Sequence, residues 1–318
     1  MAAHRDPVRP FFIDYASKDS SEVMERPFCS LSKTKRIKPI HYRSPDGDVT
    51  VSVEASPTHG MATIWDFDIL IYFISRAVAQ YDPSSNQKID PIIKCTPHQV
   101  LKGVMRGTSG KDYQALEAAL NRLQTTRVAT SIRAKRKRNG ELELNRFSWV
   151  SEWSGTATEG ADGDVALSTM TVRLPDWLLD GIQQGKILTI DRDYFELSGG
   201  LEKALYRIAR KHAGSQPQGF TIRLSILKEK VGAEQDLRHF KSAIKKLIDN
   251  PKKQLPRYAM ELTQTVKGED AVHFVDRAFE DADKAKERRD KAVKKARPYA
   301  KTAWVDAGCN PRDFERAY

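Results

Sequence analysis

Two segments of this chain, 124 residues apart, carry the same spacing of apolar side chains. Asp112, Leu116, Ala119, Leu120 and Leu123 lie over Asp236, Phe240, Ala243, Ile244 and Leu247, and Arg122 falls on Lys246. A common helical period supplies some of those matches by itself. It does not supply the order repeated around them: each segment closes a run of helix-spaced stretches and is followed by two alternating stretches that fold back as a hairpin. Such a repeat implies a tandem array of two similar units, and 318 residues are enough for two domains that each bury a core.

In the first unit Val49, Val51 and Val53 alternate as a short strand, and Ile64, Phe67, Ile71, Ile74 and Val78 recur at helical intervals until Asp82 and Pro83 stop them. Thr96 suits an N-cap with Pro97 in the first turn, and Val100, Leu101 and Val104 form a stripe that ends at Gly107. Ser109 opens the next helix, with Tyr113, Leu116, Leu120 and Leu123 inward and Lys111, Gln114, Glu117, Asn121 and Arg122 outward. Two short helices across a tight glycine-containing turn form a helix-turn-helix. Val128, Thr130 and Ile132 then alternate toward the tract RAKRKRNG, which holds Arg133, Lys135, Arg136, Lys137 and Arg138, and Leu142 and Leu144 alternate on the return. A basic hairpin tip can simply be solvated, but its place directly after a helix-turn-helix favours contact with phosphates. The apolar parity shifts from Leu142 and Leu144 to Phe147 and Trp149, which predicts a bulge near Asn145 or Arg146. Residues 154–166, SGTATEGADGDVA, read as a flexible loop.

In the second unit Leu197, Leu201, Leu205 and Ile208 mark one helix, Leu224, Leu227 and Val231 a second, and Leu237, Phe240, Ile244 and Leu247 a third. Tyr258, Met260 and Leu262 return through Lys267 and Gly268 to Val272 and Phe274 as a hairpin. The third helix turns outward Arg238, Lys241, Ser242, Lys245 and Lys246, with no acid between Leu237 and Ile248. Solvated helices usually mix signs, and a face of one sign suits a polyanion. Helix, turn, helix, hairpin is the order of a winged helix. The expected fold is therefore α+β, two tandem winged-helix domains, mostly helical with β-hairpin wings. The boundaries read as an N-terminal arm over 1–35, domains over 36–190 and 191–276, and a basic C-terminal helix or tail over 277–318.

Charge points the same way: 53 Lys and Arg against 42 Asp and Glu leave +11, which favours nucleic acid as partner. The best apolar run, Ile64 to Ala79, is interrupted by Asp66, Asp68 and Arg76 and is no membrane span. The N-terminus lacks the pattern of a secretory signal, and Cys29, Cys95 and Cys309, odd in number and far apart, fit a reducing cytoplasm. No catalytic, metal or cofactor site is expected. No two histidines flank a single residue as a metal-dependent nickase requires, and GTSGKD from Gly107 has Asp112 where a phosphate-binding loop needs a hydroxyl. Neither G-x-S-x-G nor H-E-x-x-H occurs, and Asp66 and Asp68 read as the acidic start of a helix.

The stretches MERPFCSLSK from Met24, GMATIWDFDILIY from Gly60, and LPDWL followed by DRDYFELSGGLEKALYRIARKHAG from Asp191 resemble the replication initiator protein A family of bacterial plasmids. The resemblance runs from about Met24 to about Phe274. It implies a bacterial, cytoplasmic, non-enzymatic protein that binds repeated double-stranded sites in a plasmid origin, helps to melt the adjacent duplex and recruits a host initiator and the replicative helicase. By analogy such initiators also repress their own gene, commonly as homodimers; a repressor of the same fold is the alternative reading, and a DNA-nicking enzyme, against which the missing ligand spacings count, is the remoter one. Carried onto this sequence, the resemblance places Arg238, Lys241, Ser242 and Lys245 against bases, with Lys246 on the same face. Lys111, Gln114 and Arg122 would contribute from the first unit, and Arg133, Lys135, Arg136, Lys137 and Arg138 would meet phosphates.

Overall fold

The computed structural model describes residues 16–279, apart from 85–86, 137, 139–140 and 160–164. The chain enters through β1 (Lys18–Ser20) and a hairpin of β2 (Ile40–Arg43) and β3 (Thr50–Glu54), which buries the alternating Ile40, Tyr42, Val51 and Val53. α1 (Ile64–Gln80) starts at a capping box in which the Thr63 backbone N–H donates to the Asp66 carboxylate at 2.7 Å and the Asp66 N–H donates back to the Thr63 hydroxyl. β4 (Ile92–Cys95) runs directly into α2 (Pro97–Gly103), capped by Thr96, and α3 (Gly110–Thr125) follows, burying Leu116, Ala119, Leu120 and Leu123. Next come β5 (Arg127–Arg136), β6 (Leu142–Ser148), β7 (Glu152–Glu159), β8 (Val165–Arg173), α4 (Asp176–Gln183) and β9 (Ile187–Thr189), which pairs antiparallel with β1. The last part holds α5 (Gly200–His212), β10 (Phe220–Arg223), α6 (Leu224–Val231), α7 (Leu237–Ile248), β11 (Tyr258–Gln264) and β12 (Asp270–Asp276).

The repeat read from α3 and α7 extends to topology. α1, β4, α2, α3, β7 and β8 match α5, β10, α6, α7, β11 and β12 in order, and their antiparallel sheets run β4-β8-β7 and β10-β12-β11. In both units the first strand feeds straight into the second helix.

Three expectations need correction. Among the described residues the fold is α+β with helix and strand in about equal amounts across four sheets, not mostly helical. Much of the unexpected strand lies in β7, read as loop because SGTATE has no apolar alternation. As an edge strand paired only to β8, β7 is defined by its ladder rather than by burial. The hairpin closing the first unit's sheet is β7–β8, whereas the basic β5–β6 hairpin joins β2 and β3 in a separate sheet of order β2-β3-β5-β6. The irregularity in that hairpin sits in β5: pairing runs from Arg127↔Ser148 to Thr130↔Asn145 and resumes at Lys135↔Glu143, so residues 131–134 of β5 stand against Leu144 alone. Leu142 and Leu144, whose alternation suggested a core-facing strand, are both exposed, which is why parity pointed to the wrong strand.

The two units share one hydrophobic core. Phe28, Phe67, Phe147, Trp149 and Trp177 form an aromatic cluster that joins the N-terminal segment to α1, β6 and α4, with Phe67 4.9 Å from Trp149 and Phe147 stacked on Trp177 at 4.5 Å. Between the units, Lys203 of α5 reaches both carboxylate oxygens of Asp68 on α1 at 3.1 and 3.2 Å, and Arg207 pairs with Asp19 in β1 at 2.9 Å.

Candidate nucleic-acid interface

In α7, Phe240, Ile244 and Leu247 pack inward, which turns Arg238, Ser242, Lys245 and Lys246 to solvent. The helix is fixed at its start by Asp236, which accepts from the His239 N–H at 2.8 Å and lies 2.7 Å from the His239 ring nitrogen. Those bonds, the backbone one foremost, hold the Asp236 carboxyl below its ordinary value, so an anionic cap anchors the turn that carries Arg238. Lys241 has another partner: its ammonium lies 2.6 Å from Asp270 and ties α7 to the start of β12.

In α3, Lys111 and Gln114 are exposed. Arg122 is half-buried, and its Nε and Nη2 each donate to a different oxygen of the buried Asp66 at 2.8 Å. This bidentate pair clamps α3 onto the start of α1 and raises the Arg122 pKa. Arg122 and Lys246 thus share a position in the repeat but not an environment, since Lys246 is exposed.

On the β5–β6 hairpin Lys135 and Arg138 are exposed, and Arg136 closes β5 opposite Leu142. Lys137 lies outside the described residues. Arg133 turns back: with φ of 59° it lays its guanidinium over the Trp177 ring at 4.3 Å, donates to the Trp177 carbonyl at 2.7 Å and pairs with Glu22 at 3.1 Å. Arg127 and Arg146, not among the expected site residues, are both exposed and line a shallow depression on the same sheet with Ser52 and Ser148. The structure's register brings them together, because Arg127 pairs with Ser148 and Arg146 with Ala129, the spacing that puts side chains on one face.

Among the described residues the surface therefore offers cations without carboxylate partners at Arg238, Lys245 and Lys246, at Lys111, and at Lys135 and Arg138, a chemistry suited to phosphate oxygens and base edges. No three described His, Cys, Asp or Glu side chains gather to hold a metal ion, and no described helix is long and apolar enough to cross a membrane.

The model of the family described as "Replication initiator protein A" matches residues 18–260, most of the chain. This chain belongs to that family. A protein of Wigglesworthia glossinidia brevipalpis described as "Putative replication protein" is similar to this initiator-family chain, 32% identical over 257 residues that cover 79% of this chain and 88% of the relative. Two solved structures share the fold at 14% identity. One, of RctB domains 2-3, has a TM-score of 0.51 and covers 81% of this chain and 96% of its own. The other, of domains 2 and 3 of RctB, has a TM-score of 0.54 and covers 78% and 94%.

Proposed function

We propose that this family member initiates plasmid replication as a non-enzymatic, origin-binding protein of the bacterial cytoplasm. In this reading α7 enters a major groove of a repeated duplex site, Arg238 reads a guanine edge, and Ser242, Lys245 and Lys246 meet neighbouring bases and phosphates. Lys111 and Gln114 of α3 engage the adjoining segment, and Lys135 and Arg138 hold phosphates from the β5–β6 hairpin. The element order of each unit is that used by winged helices to present a third helix to DNA. Binding energy spent on deforming the duplex eases its opening, and the bound protein recruits a host initiator and helicase.

The observation that carries this reading is the exposed face of α7: cations of one sign, no acid from Leu237 to Ile248, on a helix braced at its cap, in a chain of an initiator family. Fluorescence anisotropy with duplexes tiling the DNA around the gene, against a random duplex at two salt concentrations, tests it. Tight binding to a few repeated sites that survives the higher salt is the expected result. Equal, salt-labile binding to every duplex would overturn it, and metal-dependent nicking of supercoiled DNA would refute the non-enzymatic part. Arg238→Ala is expected to cost about 1–3 kcal/mol and to relax preference at one base pair.

A further inference from the structure

The extended segment between the N-terminal part of the core and β2, KTKRIKPIHYR from Lys33 to Arg43, is basic throughout, and none of the roles above uses it. It lies across the turn between α6 and α7. Two adjoining grooves, of about 560 and 530 Å³, run along this contact and share Arg36, Lys38 and Glu234. Their walls carry Lys35, Arg36, Lys38, Arg43 and Lys228 against two acids, Glu229 and Glu234.

The segment is held in place. The Met61 N–H donates to the Arg36 carbonyl at 2.9 Å, and Arg36 Nε donates to the Lys38 carbonyl at 2.9 Å. Gly232 closes the turn at φ of 72°, so close to the chain that a Cβ there would meet Pro27 at 2.7 Å. Between the grooves one Glu234 oxygen lies 3.2 Å from Arg36 and 3.8 Å from Lys38. Lys38 remains 80% exposed and Glu234 58%, so both face water, while Arg36, 14% exposed, anchors the contact from the groove wall. Glu234 stands two residues before Asp236, the cap of α7, which makes the grooves continuous with the start of that helix.

We propose that the two grooves form a track for the sugar-phosphate backbone beside the duplex segment met by α7, and that Glu234 is an internal anion displaced from Arg36 and Lys38 when a phosphate arrives. The inference rests on the reading that α7 meets duplex DNA. Five cations against two carboxylates give the track its charge, and the pinned backbone spares the cost of ordering an arm.

The test is the salt dependence of binding to the tightest duplex from the tiling series and to a random duplex. Three variants are compared, Lys35→Gln with Lys38→Gln, Glu234→Gln, and Arg238→Ala, with thermal melts to confirm folding. The double variant should bind both duplexes more weakly, with a slope of log affinity against log salt shallower by about 0.9 for each phosphate left unneutralised. Glu234→Gln should bind both more tightly, since the competing carboxylate is gone, whereas a purely structural role for this residue predicts no gain. Unchanged slope and affinity in the double variant, or weaker binding by a well-folded Glu234→Gln, would overturn the track. If Arg238→Ala weakens binding while neither groove variant changes it, the track alone falls. If the unaltered protein prefers no duplex and Arg238→Ala has no effect, the reading of α7 falls as well.

Discussion

Lys203, 1% exposed, is surrounded by groups that make its charge tolerable: both oxygens of Asp68, the Tyr194 carbonyl at 3.1 Å and the Tyr194 ring at 4.2 Å. Burial pushes the Asp68 carboxyl up and the Lys203 ammonium down, and each resists the shift by holding the other charged. Asp68 also meets Arg106 at 3.4 Å, so deleting Lys203 leaves the buried carboxylate with that one longer contact. Lys203→Met should therefore cost about 3–5 kcal/mol in urea unfolding, while adding Asp68→Asn should recover much of that stability, as replacement of a whole buried pair often does. Glu25 makes the opposite case. Burial is the largest single influence on it and opposes its charge, but His212 at 3.1 Å, Arg26 at 2.7 Å and Lys230 at 3.1 Å together outweigh burial and bring the carboxyl from 4.5 to about 2. A carboxyl depressed by folding stabilises the fold above 4.5 and loses that contribution as pH falls toward about 2, an effect on the order of 3 kcal/mol. In Glu25→Gln, stability plotted from urea titrations should lack the part of the acid slope that lies in this window.

At the scale of elements, the β5–β6 hairpin separates two kinds of arginine that sequence cannot distinguish. Arg133 belongs to the bulge and to α4, through Glu22 and the Trp177 carbonyl. Arg133→Ala should lower stability by about 1–3 kcal/mol by leaving a buried acceptor and carboxylate unpaired, and should leave the salt slope of DNA binding unchanged. Changing Lys135 and Arg138 to alanine should do the reverse, reducing that slope by about 0.9 for each phosphate released, with little change in melting. Helices were the most legible elements. Thr63, Thr96 and Asp236 cap where polar residues precede apolar stripes, and Leu116, Leu120, Phe240 and Ile244 are buried as their spacing demands. Strands were less legible because their partners lie far along the chain. Nothing in SGTATE announces that it will pair with residues after 164, and nothing in Val128 and Thr130 announces β3 rather than β4 as neighbour. Of the candidate site, the exposed cations of α7 could be read from the helical period. The diversion of Arg122 to Asp66, Arg133 to Glu22 and Lys241 to Asp270 could not, since each pair closes through space.

Over the whole molecule, the repeat was visible in the sequence, and the fusion of its copies was not. Asp19 and Arg207, or Asp68 and Lys203, meet only because α5 packs on α1, an arrangement that local periodicity does not encode. With one core spanning both units, unfolding should be a single cooperative transition, with calorimetric and van't Hoff enthalpies in agreement. Two resolved transitions would mean that the halves hold their structure independently. The shared core also sets a distance. Where two readers are joined by a slack linker, each finds its own stretch of DNA and the gap between them is free to vary. Here α3 and α7 are parts of one solid body, so a duplex gripped by both must bring the right edges around at a fixed pitch. Each base pair added between the two stretches turns one of them by roughly a tenth of a revolution away from its reader. On the proposed reading the molecule is a ruler as much as a reader: it would measure the phase of the double helix, and a site with perfect letters at the wrong interval would go unrecognised.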